Sequence, residues 1–236
     1  MCCTQADHRR STNKKMGKSI LLIIIATAGL VSCKQGSKSK PETVEIETIN
    51  SVRKYEYTDS NGKLLIIQNS FPKGATYIDP NGKEYFKVIF WTRIINETDN
   101  PLELKIDFPV DLYKVPGLRG SYYKILIPSD TMTIDKEPLY DYGMTGLKSF
   151  LDNNIHKPSS LKRTINPKES SGFYVVLLSL TKEITPGSTL RTGFTLKGQD
   201  LFYTISRYAS KAGHPLINEN EIHCGSINLK DLMLRK

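Results

Sequence analysis

The sequence predicts an all-β protein, an antiparallel β-sandwich with a short helical insertion. Three observations lead there: segments in which apolar and polar residues alternate one by one, about eight such segments, and clusters of Gly, Pro, Asn and Asp between them. Alternation with period two sends every second side chain to the same sheet face, as a sheet needs when one face is buried and the other meets water. The 236 residues include 39% hydrophobic and 24% charged residues, enough apolar material for one sizeable core.

The elements follow in chain order. Leu64 to Gln68 opens the series as a short apolar strand. Tyr85 to Asn96 is longer, with Phe86, Val88, Phe90 and Ile94 on one face and Tyr85, Lys87, Ile89, Trp91, Arg93 and Ile95 on the other. Leu102-Glu-Leu-Lys-Ile-Asp-Phe108 alternates without a fault, placing Leu102, Leu104, Ile106 and Phe108 inward. Further strands are expected at Tyr122 to Ile127, Gly172 to Leu180, Leu190 to Leu196, Leu201 to Arg207 and Ile222 to Leu229. From Thr133 to Thr164 the strand pattern lapses, and Met144 to Asn153 takes helical spacing, with Met144, Leu147, Phe150 and Leu151 on one stripe. The insertion is placed near 135–165. Such a collection of strands suggests immunoglobulin-like architecture, although the Cys…Trp…Cys spacing of true immunoglobulin domains is absent.

A small repeat punctuates the first strands. Tyr57-Thr-Asp-Ser-Asn-Gly-Lys63 and Tyr77-Ile-Asp-Pro-Asn-Gly-Lys83 share Y-x-D-x-N-G-K. Asn-Gly supplies positive φ and the Asp side chain caps the turn, so both are expected to be hairpin turns. A calcium loop opens in the same way, but Ser70 and Phe90 occupy the twelfth positions, where a glutamate is needed.

The N-terminal segment follows a different logic. Arg9, Arg10, Lys14, Lys15 and Lys18, with one acid at Asp7, precede the apolar run Ile20 to Val31, and Leu30-Val31-Ser32-Cys33 closes it. Twelve residues rise only about 18 Å, against about 30 Å of bilayer hydrocarbon. The segment resembles the signal peptide of bacterial lipoproteins, its last four residues filling every slot of a lipobox. That resemblance implies cleavage before Cys33, acylation of its thiol, and a lipid bilayer as first partner. It assigns 1–32 to the signal, 33–48 to a polar tether and 49–236 to the folded domain. Met16-Gly17-Lys18 makes a more ordinary signal start than Met1, so the true start is open between the two. Arg9-Arg10 lacks the apolar residues that follow the pair in twin-arginine signals. The first acid after Cys33 is Glu42 and Lys34 is not Asp, which by the sorting rules of such lipoproteins implies the periplasmic leaflet of the outer membrane.

Removing the signal sharpens the remaining inventory. Charge falls from +9 to +5, from 28 basic and 23 acidic residues, without a clustered stripe, so nucleic acid is not an expected partner. Of four cysteines only Cys224 stays in the domain. It is expected to be buried, with its neighbour His223 on the opposite strand face and unable to serve it as a base. There is no Gly-x-Ser-x-Gly, His-Glu-x-x-His, Cys-x-x-Cys or phosphate-binding loop: Gly193 to Gly198 has the loop's spacing but runs on into Gln199. His156, His214 and His223 stand in dissimilar contexts, so no metal, cofactor or catalytic residue is assigned.

Two functional readings remain. One is a non-enzymatic envelope lipoprotein contacting another envelope protein, with Trp91, Arg93, Tyr140 and Tyr142 as the contact surface. A second buried layer over the Trp91 face would produce the same pattern. The other is a small-ligand or glycan binder, or a hydrolase, built on the 135–168 insertion, which requires Tyr140, Tyr142 and nearby acids to converge.

Overall fold

The computed structural model describes residues 44–47, 52–58, 62–109, 112–114, 120–179, 188–209 and 216–228. Leu30 to Cys33, read as a lipobox, most of the expected tether, Asp59 to Asn61 and His214 lie outside them. The first sheet is built from β1 (Val44–Glu47), β2 (Val52–Thr58), β3 (Leu64–Ser70), β4 (Lys73–Ile78), β5 (Glu84–Asn96), β7 (Tyr113–Lys114), β8 (Tyr122–Leu126) and β10 (Ser170–Ser179). Its order is β1-β2-β3-β5-β10-β8-β7, with β4 also on β5. The second sheet, β11-β12-β13-β6-β9, uses β6 (Leu102–Phe108), β9 (Ser159–Ile165), β11 (Ser188–Lys197), β12 (Asp200–Ala209) and β13 (Leu216–Asn228). All pairings are antiparallel, and the two sheets form the expected sandwich.

Inward residues interlock between the sheets. Leu102, Leu104, Ile106 and Phe108 meet Val88, Phe90, Phe173 and Val175 across the gap, and Phe194 stacks edge-on with Phe173 and tilts over Tyr203. The β6 alternation is realised residue for residue, with Glu103, Lys105 and Asp107 outside. Cys224 packs in this core and donates its thiol to the Leu201 carbonyl, while His223 is exposed beside Asp200.

The edges of the second sheet close onto the first through side chains. At β11, Asn69 Oδ1 accepts the Phe194 N–H at 2.9 Å, Tyr57 Oη accepts the Leu196 N–H at 2.8 Å and Arg53 donates to the Thr192 carbonyl at 2.6 Å. At β9, the Ser159 hydroxyl accepts the Ile127 N–H at 2.6 Å and Arg163 donates to the Gly172 carbonyl at 2.9 Å. Backbone groups that would be buried without a neighbouring strand are satisfied in this way.

The second copy of the repeated turn forms as expected. Asp79 Oδ1 accepts the Asn81 and Lys83 N–H groups at 2.9 and 2.8 Å, and Gly82 takes φ +79°. The first copy joins β2 to β3, where Thr58 faces Leu64.

Four expectations are corrected. Val44–Glu47, assigned to the tether, is a strand: its Val-Glu-Ile-Glu alternation pairs with Arg53 to Glu56, so the domain begins before residue 49. β2 and β4 were not among the expected strands either. The insertion ends at Ser159 instead of running to 165, because β9 continues the second sheet; Arg163 interrupts its apolar phase and hides it. The helix α1 (Leu147–Asn154) starts three residues later than expected, after Gly146 at φ +67°.

Candidate functional site

The insertion forms a cap over the outer face of the first sheet, making a third layer. Tyr77, Tyr85, Ile89, Trp91, Leu126, Tyr174, Val176 and Leu178 supply the sheet side; Met132, Tyr142, Met144, Leu147, Leu151 and Ile155 supply the cap. The outer face of β5 is therefore a buried layer. Trp91 is 1% exposed and Tyr142 4%, and the two rings meet edge to face with centroids 6.4 Å apart. This corrects the expected contact surface: neither residue reaches solvent. Arg93 is half-buried and donates to the Ser170 hydroxyl at 3.0 Å. Only Tyr140, 80% exposed, projects freely.

The seat of the cap is a bulge in the sheet. β3 and β4 run end to end along β5, with Asn69 opposite Thr92 and Lys73 opposite Ile89, so one extra residue is accommodated at Ser70-Phe71-Pro72. Pro72 cannot donate to a ladder. The Ser70 hydroxyl steps in and accepts the Trp91 N–H at 2.8 Å, and the free Phe71 carbonyl accepts the Tyr142 hydroxyl at 2.6 Å. The bulge thus offers an acceptor and Tyr142 takes it.

Tyr142 belongs to a left-handed turn. Asp141, Tyr142 and Gly143 take φ of 47°, 56° and 64°, a conformation that Gly adopts freely and that costs other residues about 1–3 kcal/mol each. Long-range contacts hold it. Asp141 Oδ2 accepts from Lys87 Nζ at 2.6 Å in a buried ion pair, and the Tyr174 hydroxyl donates to the Tyr142 carbonyl at 2.9 Å. Lys73 Nζ sits 3.8 Å from the centre of the Tyr142 ring and donates to the carbonyls of Glu137 and Leu139 at 2.9 and 2.7 Å. Burial pushes the Tyr142 hydroxyl above its ordinary range. At the helix, Tyr77 donates to Asp152 at 2.6 Å, and this bond, with Lys148, holds the Asp152 carboxyl below the usual carboxylate range.

Upstream, Met132 N–H donates to the Gly172 carbonyl at 3.1 Å. A Cβ on Gly172 would lie 2.2 Å from the Met132 carbonyl oxygen, so only glycine admits the cap strand at this distance. From there Ile134–Lys136 makes a 3-10 turn that leads through Pro138 into Leu139 and Tyr140. Ile134 is 47% exposed and Leu139 50%.

Comparison with family models, with curated proteins and with solved structures gives no match for this chain.

Within the cap the inward polar groups are engaged in holding it. Tyr140 points out and Tyr142 points in, so the convergence required of a ligand site built on those two tyrosines does not occur. On the capped face of the first sheet, the Trp91 indole N–H and Lys124 Nζ are buried donors that lack an acceptor among the described residues. Trp91 faces Tyr174 and Lys124 faces Leu178, four residues and about 13 Å apart along β10, so they do not share one ligand. Among the described residues no group of three or more His, Cys, Asp or Glu side chains is placed to hold a metal, and no helix is long and apolar enough to cross a membrane.

Sequence reasoning found Tyr140 and missed Ile134, Leu139 and the Lys87–Asp141 pair. A signal for the pair was present: Lys87 stands among Tyr85, Ile89 and Trp91 on one strand face, where a lysine requires a buried partner. Pro72 between two stretches of extended chain likewise marks an interruption of the ladder.

Proposed function

We propose that this chain is a lipid-anchored protein of the bacterial cell envelope that acts by contacting another envelope protein. The lipobox at Leu30 to Cys33 carries the anchoring half of the reading. For the contact half, the support is the cap, whose residues are braced on the sheet yet present Ile134, Leu139 and Tyr140 to solvent. Large apolar side chains gathered on a braced turn resemble interface cores more than ordinary surface. The polar stretch from Lys34 gives the domain reach from the bilayer to a partner, with the periplasmic leaflet of the outer membrane as the proposed location.

Detergent-phase partitioning tests the anchor. Cys33→Ala is expected to leave the chain unprocessed or in the aqueous phase, because it removes the thiol that would carry the acyl chains, each contributing about 0.8 kcal/mol per buried CH₂. A Cys33→Ala protein that still enters the detergent phase would show that the apolar run Ile20 to Val31 is itself the anchor.

A further inference from the structure

Among the large hydrophobics exposed on the described residues, Ile78 and Leu112 stand singly, an ordinary condition for a protein surface. Ile134, Leu139 and Tyr140 instead fall within seven residues of one compact double turn, with Pro138 exposed between them. The turn is closed by backbone bonds from Lys136 N–H to the Thr133 carbonyl, Glu137 N–H to that of Ile134, and Leu139 N–H to that of Lys136. Its base is the left-handed segment Asp141 to Gly143. The clamps from Lys87, Tyr174 and the Phe71 carbonyl hold this base, and Lys73 ties base to turn, over the Tyr142 ring and on the Glu137 and Leu139 carbonyls, leaving the apolar side chains outside. A chain that accepts about 1–3 kcal/mol of strain at each of two residues, and spends a buried ion pair, two side-chain hydrogen bonds and a cation–π contact on holding them, fixes the shape of what those residues present.

The charges around the tip are asymmetric. Asp135 and Glu137 flank Lys136 between Ile134 and Pro138, and Asp130 precedes them; burial first, and then the charges of Asp130 and Asp135, hold the Tyr174 proton more tightly. No ion pair engages these three carboxylates among the described residues. The nearby cations are turned to backbone: Lys136 Nζ donates to the Thr131 carbonyl at 2.9 Å, and Lys73 to those of Glu137 and Leu139.

We infer that the turn from Ile134 to Tyr140 is a preformed plug that docks into an apolar socket rimmed by Lys or Arg on a partner protein. The inference rests on the envelope-contact reading and names the element and the partner's chemistry. Preorganisation removes the ordering cost that a floppy loop would meet on binding, and a tyrosine at the tip supplies large contact area with few rotatable bonds. The carboxylates disfavour the other apolar acceptor, an anionic lipid surface, which would repel them.

The test places a photoreactive benzoylphenylalanine at position 140 of the full-length chain in intact cells, with position 103, exposed on the second sheet, as control. The expected result is a discrete protein adduct from 140 and none from 103. The combined Asp135→Lys and Glu137→Lys exchange, and separately Leu139→Ser, should each lower its yield at least about tenfold, with the urea midpoint of the folded domain unchanged. Adducts of equal yield from both positions, or lipid adducts only, overturn the plug. A protein adduct from 140 that survives the charge exchange overturns the basic rim. Adducts from 103 but not from 140 remove the plug and leave the envelope-contact reading standing, whereas adducts from neither position count against both.

Discussion

Lys124 is a side chain that the fold would be more stable without. It lies on β8 opposite Leu178, on the capped face of the first sheet, and only 3% of it is exposed. No acceptor reaches its Nζ among the described residues, and desolvation pulls its pKa below the ordinary lysine value of 10.5. A buried polar group without a partner costs about 1–3 kcal/mol, more when charged. Methionine keeps the length and flexibility of the stem and removes the ammonium. Lys124→Met is therefore expected to stabilise the domain by about 1–3 kcal/mol, toward the low end because β8 lies next to the terminal two-residue strand β7 and desolvation there is partial. The melting temperature should rise by about 2–4 °C per kcal/mol. The sign of the pH dependence is fixed. Between the lowered folded-state pKa and 10.5 the unfolded chain holds a proton that the folded one has shed, so wild-type stability climbs with pH across that window. The advantage of Lys124→Met should be widest below the window and close as pH approaches 10.5. Urea melts of the soluble domain at pH 7 and at pH 10 measure both effects. A variant less stable than wild type at pH 7, or a gap that does not narrow at pH 10, would refute the argument and mean that the ammonium makes a favourable contact.

Other perturbations probe the remaining layers. Leu104→Ala, in the inter-sheet core, should cost about 2–5 kcal/mol in urea melts, and Lys105→Ala, on the opposite face, under about 0.5 kcal/mol. Asp141→Ala strands Lys87 as an unpaired buried cation and should cost about 3–5 kcal/mol, whereas Lys87→Met combined with Asp141→Asn should recover most of it; equal losses in both would place the cost in the backbone and not the charge. Burial pushes the Cys224 thiol well above its ordinary range, so a maleimide should label it slowly in native buffer and rapidly in urea.

Period-two alternation made most of the sandwich legible, because it is a local consequence of a sheet with one wet face. β6 and β5 declare themselves within a dozen residues. β9 does not, since Arg163 occupies a position in phase with Leu161 and Ile165, where its guanidinium serves Ser171 and Gly172 on the other sheet. β4 begins at Lys73-Gly74 just after Pro72, so it lacks the apolar start that marks a strand. In each case a residue chosen for a partner on another element overrides the local pattern.

The cap was less legible for a related reason. A strand apolar on both faces is equally consistent with an exposed contact surface and with a second buried layer, and only the tertiary position of Tyr142 and Leu151 decides for the layer. The left-handed turn has one local cue, Gly143; Asp141 and Tyr142 adopt positive φ because Lys87, Phe71 and Tyr174, between 32 and 71 residues away in sequence, hold them there. Those same contacts determine which tyrosine is buried and which is presented. Had Tyr142 found no carbonyl at the bulge, a hydroxyl in the apolar layer would have cost about as much as the turn's strain, and the alternation of Tyr140 and Tyr142 could have run in either sense. The orientation of the exposed tip thus traces back to Pro72, a residue in the sheet whose missing N–H accompanies the extra residue and the free Phe71 carbonyl on which the cap is hung.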